Sequence, residues 1–204
     1  MWRSRIRSLP VHASSPYLDV LGQTYFRLHP HVRIAHEAPL AAVGAVDVTH
    51  GRHALTPFFV RAMHLPAEGR GQAVLLTVTL DEPPAPSGAL MRWSRRIGTT
   101  LLATRQFSRN RRLVETSGPG SVEFELGVDD EGSLLYEHAA SHFLRLPVPR
   151  AFAPRVRARV AGAPEGWHVE VIVEWRAHLV CTYAGSMRPL PGSEDPGPRS
   201  ESGG

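Results

Sequence analysis

The chain has 204 residues, of which 42% are apolar and 21% charged, the composition of one globular domain with room for a substantial core. Its net charge of +4 is carried by arginine alone, gathered at Arg3, Arg5 and Arg7 and in the run Arg105, Arg109, Arg111 and Arg112; without a basic stripe interleaved with aromatics, this speaks against nucleic-acid binding. The one cysteine, Cys181, excludes an intrachain disulfide framework, and no apolar run approaches the roughly 20 residues that span a bilayer.

Residues 1–14 read as a flexible leader; Pro10 and His12 interrupt any signal-peptide core, so the expected location is cytoplasmic. Ser15-Pro16 then has the form of a helix start, a capping serine followed by proline in the first turn. Leu18, Leu21, Tyr25 and Leu28 continue one apolar face, and Pro30 is expected to end that helix. A strand is expected over 41–49, and a second helix over about 54–64, with Pro57 in its first turn.

From Val74 the period changes from 3.6 to 2. Val74, Leu76, Val78 and Leu80 share one face, and Asp81–Gly88, with three prolines, is a loop. Met91, Trp93, Arg95 and Ile97 share the next apolar face. Strands follow over 101–108, 112–117, 122–128 and 133–144, with turns near Arg109-Asn110 and at Asp129–Gly132. After an irregular stretch holding Pro147, Pro149 and Pro154, further strands are expected around Val156–Val160, Trp167–Trp175 and Leu179–Gly185. Residues 190–204 are too poor in apolar groups to fold and read as a disordered tail, leaving 15–189 as the single domain. The expected class is α+β: two short N-terminal helices packed on a curved, mostly antiparallel β-meander that forms a partial barrel.

Arg95 is the most informative residue. Strand parity puts its guanidinium on the face of Met91, Trp93 and Ile97, where a charge needs a partner, and Glu115 in a nearby strand is the candidate. Two readings stay open: a structural ion pair, or an anchor for the acidic head of a ligand. The eleven histidines include the close sets His29, His31, His36 and His138, His142, but no His-Glu-x-x-His or cysteine pair accompanies them, and no metal is expected. Cys181 reads as a small packed hydrophobe. Hydrolase-elbow, dinucleotide and P-loop patterns are all missing, so neither a cofactor nor a catalytic residue is assigned.

Several motifs occur in a recurrent order: Leu21-Gly22, Leu28-His29-Pro30-His31-Val32, His36, Gly44, Gly51 before a helix ending in Leu65-Pro66, Trp93-Ser94-Arg95-Arg96, Leu113–Gly118, Leu146–Arg150 with Pro154, and Tyr183-Ala184-Gly185. Together they make the chain resemble the bacterial family known as domain of unknown function 4166 over roughly residues 17–187. The resemblance implies an accessory role, since such domains occur alone or joined to short-chain or saccharopine-dehydrogenase-like oxidoreductases, and it supplies no catalytic residues. The expected function is a non-catalytic module that binds an apolar or acidic amphipathic small molecule through Trp93, Arg95, Glu115 and Tyr183. The alternatives are a partner-binding module for an oxidoreductase and, most weakly, an enzyme moving protons with Glu115, Arg95 and a histidine.

Overall fold

The computed structural model describes residues 15–81 and 89–191. The expected leader at 1–14, loop residues 82–88 and the tail from 192 onward lie outside the described residues.

The N-terminal helical segment differs from its expected form. Ser15 caps α1 (Pro16–Leu21) by accepting a hydrogen bond from the Tyr17 N–H. Gly22 then adopts φ 55° and ψ −132°, a conformation open to glycine alone, and the α-helix stops there. The chain runs on as a 3-10 turn over Gly22–Arg27. A further helix, α2 (Pro30–Ala35), begins at the proline expected to end the first. Pro30 sits in the first turn, where its missing N–H would have no helical acceptor, and the His29 ring caps the turn by accepting from the His31 N–H. Short helix α3 (Thr56–Ala62) follows β1 (Leu40–His50).

The remaining chain is strand: β2 (Gly69–Leu80), β3 (Leu90–Ile97), β4 (Thr100–Arg109), β5 (Arg112–Ser117), β6 (Gly120–Val128), β7 (Leu134–Phe143), two-residue β8 (Leu146–Pro147), β9 (Arg155–Ala163), β10 (Gly166–Trp175) and β11 (His178–Pro189). The α+β partial barrel is therefore corrected. The protein is mostly β, and ten antiparallel strands close into a complete barrel with three short helices. Two pairings complete the ring: β1 with β11, matching Val48 to Tyr183, and β6 with β7, matching Gly120 to Phe143. The short β8 hangs on β7 outside that ring. Closure gives each of the ten strands a partner on both sides, which a partial barrel does not.

Parity along the strands sets what points inward. Val74, Leu76 and Val78 of β2 and Met91, Trp93 and Ile97 of β3 are buried. Ion pairs occupy the outer wall, among them Arg92–Asp81 at 2.8 Å and Arg157–Glu174 at 2.9 Å.

The two ends of the barrel differ. At one, α1, the 3-10 turn and α2 form a plug, pinned by the His29 N–H to the Gly132 carbonyl at 2.9 Å and by His31 Nδ1 to the Ala163 carbonyl at 2.7 Å. At the other lie α3, which packs on β11, and the turns at 98–99, 118–119, 144–145 and 176–177.

Candidate functional site

A cavity of about 930 Å³ runs inside the barrel. Ala35 and His36, at the end of α2, form its floor. Phe58, Met63, Gly118, Pro119 and Phe143 border it at the far end, while no residue of the turns at the plugged end does, so it opens away from the plug. The wall is mainly aliphatic and aromatic, and the volume lies in the range of small-molecule sites. A second hollow of about 530 Å³, lined by His50, Arg52, His53 and Arg61, is an open groove outside the barrel. The enclosed cavity is the stronger candidate because buried polar groups converge on it.

Those groups begin with Arg95 of β3 and Glu115 of β5, paired at 2.9 Å between Nη1 and Oε1. Their side chains remain 22% and 20% accessible although protein surrounds both, so the accessible surface faces the cavity. The guanidinium carbon lies 4.7 Å from the centre of the Trp93 ring, a cation–π contact. A guanidinium has five N–H donors. Nη1 supplies those used on Glu115 and, at 3.4 Å, on Thr104 Oγ1; among the described residues, Nε and Nη2 have no acceptor. The Tyr183 hydroxyl on β11 likewise has no hydrogen-bond partner among the described residues, and Tyr183 also lines the cavity.

Behind the pair runs a buried chain. Gln106 of β4 lies opposite Glu115 in the ladder and donates its amide N–H to Glu115 Oε2 at 3.0 Å. Its carbonyl oxygen accepts from the Tyr17 hydroxyl. Tyr17 contacts the Tyr136 hydroxyl at 3.2 Å, and Tyr136 meets His36 Nε2 at 2.8 Å. His36 Nδ1 lies 2.7 Å from the Val32 carbonyl and must donate, because a carbonyl only accepts. Neutral His36 therefore accepts the Tyr136 proton at Nε2. Tyr17 has given its own proton to Gln106, so the contact between the two phenols then holds none.

Charge in the cluster is settled by neighbours. Burial alone would raise the Glu115 carboxyl, but the Arg95 charge and hydrogen bonds from Arg95, Thr104 and Gln106 hold it below its usual range. Burial works against the Arg95 cation and Glu115 overrides it, so the guanidinium stays charged. Burial pushes His36 down to about 4 and the Tyr183 phenol up to about 12. The Cys181 thiol, completely buried, is pushed up to about 11 by burial and by the charge of Glu68. None of these shifts makes an activated nucleophile. Nor is the chain a continuous proton wire, because the Gln106 amide separates the tyrosines from Glu115 and does not readily pass a proton on.

Trp93, Arg95, Glu115 and Tyr183, the four residues singled out from sequence, line this one cavity. Sequence reading missed Thr104, Gln106, Tyr136, Tyr17 and His36. Parity on β4 carried a signal for two of them, since Thr104 and Gln106 alternate inward with Leu102. The remaining histidine sets are spread over local hydrogen bonds: His138 accepts from the Val156 N–H at 3.2 Å and lies 3.2 Å from Ser141 Oγ. Among the described residues no three His, Cys, Asp or Glu side chains are grouped to hold a metal, and no helix is long and apolar enough to cross a membrane.

A family described as a domain of unknown function (DUF4166) matches residues 28–187, a span that takes in β1 to β10, most of β11 and every cavity-lining residue named above, while Tyr17 of the buried chain precedes it. No curated protein and no solved structure matches the chain.

Proposed function

The chain belongs to the domain-of-unknown-function family DUF4166, a membership that brings no activity with it, and we propose from the cavity itself that the protein binds an amphipathic small molecule, its apolar part within the barrel and an acidic or carbonyl head on Arg95. The observation that carries this reading is the state of Arg95: held by Glu115, yet with Nε and Nη2 unspent toward an apolar cavity. Donors left without acceptors inside a protein are costly unless water or a ligand meets them. The Tyr183 hydroxyl offers a further donor in the same space. Trp93 and Glu115 take supporting parts, one stacking on the guanidinium and the other fixing its orientation.

The test is titration with a fluorescent long-chain fatty acid and, in competition, with the unlabelled acid and its methyl ester. Arg95→Ala is expected to weaken binding of the acid by about 10- to 100-fold, the loss of hydrogen bonds to a charged donor. It should also destabilise the fold by about 2–4 kcal/mol, less than for a fully dry pair because the cavity admits water. Equal displacement by acid and ester would assign the head to a carbonyl rather than a carboxylate. Unchanged affinity in Arg95→Ala would sink the anchor, and no binding of any of these probes would sink the reading.

A further inference from the structure

The open end of the barrel has a different surface from the wall and the plugged end. Many arginines elsewhere are tied to carboxylates, among them Arg27 to Asp130, Arg92 to Asp81, Arg109 and Arg112 to Glu123, and Arg159 to Asp129. Among the described residues Arg33, Arg111 and Arg188 toward the plugged end are not, and they are not set among several large exposed apolar side chains. Around the mouth Arg52, Arg61, Arg145, Arg150 and Arg176 are exposed, and among the described residues no carboxylate pairs with them. The segments that carry them, 51–65, 143–154 and 175–179, contain neither Asp nor Glu. Glu68, in the segment after α3, lies 3.5 Å from the His50 N–H, and Glu174, just before the third segment, is taken by Arg157.

Large apolar side chains stand among these arginines. Phe58 on α3 is 64% exposed, Leu144 65%, Leu146 69% and Phe152 64%. Leu144 and Arg145 form the tip of the turn from β7 to β8, both with positive φ, 50° and 67°. Such two-residue turns favour Asn and Gly, which take that conformation without strain. Leucine and arginine do nothing for the turn itself; what they add is an apolar and a cationic side chain projecting past the mouth.

We propose that this end docks on a membrane surface containing anionic lipid, with Leu144, Leu146 and Phe152 at headgroup level, the arginines against lipid phosphates and the cavity mouth facing the bilayer. Charges of one sign and apolar groups on three separate projections around an opening suit a fluid anionic surface better than a rigid, complementary protein face. The inference goes beyond the ligand reading and rests on a different set of residues: Leu144, Arg145, Leu146, Arg150 and Phe152 do not line the cavity.

The experiment is co-sedimentation of the full chain, without added ligand, with vesicles of phosphatidylcholine alone and of phosphatidylcholine with phosphatidylglycerol. Binding is expected to the mixed vesicles and to be released by salt. Each basic residue near an anionic surface is worth roughly fivefold in affinity, so Arg145→Glu with Arg150→Glu should weaken binding by about tenfold or more. Leu144→Ser with Leu146→Ser and Phe152→Ser should abolish it. Phe26→Ser and Arg111→Glu, exposed positions at the plugged end, should leave it intact. Thermal unfolding and fatty-acid titration without vesicles check that each variant is folded, and keep a failure of docking separate from a failure of ligand binding. No binding to the mixed vesicles, equal binding to both kinds, or loss in the plugged-end variants instead would overturn the proposal. So would a protein complex abolished by the mouth variants in the absence of vesicle binding.

Discussion

His36 shows how one buried side chain makes the fold sensitive to acid. Burial lowers its pKa from 6.5 to about 4, against the hydrogen bond to Val32, and the Arg95 charge lowers it further. As pH falls from 6.5 toward 4, the unfolded chain takes up a proton that the folded one refuses. Stability on this account is complete above 6.5 and declines through that window by about 1.4 kcal/mol per pH unit. His138, lowered by burial and by Arg155 and Arg150, acts in the same sense. Glu115 adds its own loss at lower pH, below its unperturbed value of 4.5. Denaturant unfolding at about pH 7 and about pH 5 should show wild type losing roughly 2 kcal/mol from His36. His36→Gln should start less stable and fall less steeply; parallel losses in the two proteins would mean that His36 is not held neutral.

At the level of elements, the seam between β1 and β11 bears the closure. Gly44 lies opposite Met187 and Gly185 opposite Val46. A Cβ on Gly185 would stand 2.0 Å from the Ala45 carbonyl oxygen, and one on Gly44 2.1 Å from that of Ser186. Both obstacles are backbone and can yield only by parting the strands. Gly185→Val is therefore expected to cost about 3 kcal/mol or more, beyond ordinary overpacking. Gly120→Ala, whose nearest neighbour would be 3.6 Å away, is the control and should change little. Melting temperatures of the two variants decide the matter; equal, small shifts would show the seam to be slack. The helices illustrate the limit of reading elements locally. Apolar spacing through Tyr25 and Leu28 is that of one helix, but the break depends on Gly22 and the restart on Pro30 with His29 as its cap.

For the whole molecule the question is why the barrel is not filled. Ten strands enclose more space than the inward side chains occupy, and several of those are small. Ala158 of β9 is one: it lines the cavity and stays partly accessible. Ala158→Trp should fill part of the space, preserve or slightly raise thermal stability and cut fatty-acid affinity by about tenfold or more, as the apolar volume open to a ligand shrinks. Stability and affinity measured on the same preparation separate steric blockade from unfolding. A variant that binds as tightly as wild type would place the ligand outside the barrel.

Alternation by itself determined most strands, because a residue's face follows from its parity within the strand. It put Arg95 beside Met91, Trp93 and Ile97 and called for a carboxylate, and Glu115 lies there at 2.9 Å. The family was legible too, since its motifs are spread along the chain and residues 28–187 match it. What only the tertiary structure decided is the joining of distant segments. Val48 lies opposite Tyr183 and Gly120 opposite Phe143 in strand pairings that are made by backbone groups, which carry no side-chain signature, so a partial barrel and a closed one look alike in the sequence. The same holds for Tyr17, His36 and Tyr136, brought into one chain with Gln106 by the docking of α1 and α2 beneath the sheet. A cavity, finally, is the difference between enclosed and occupied volume, and that difference exists only once the ring has closed.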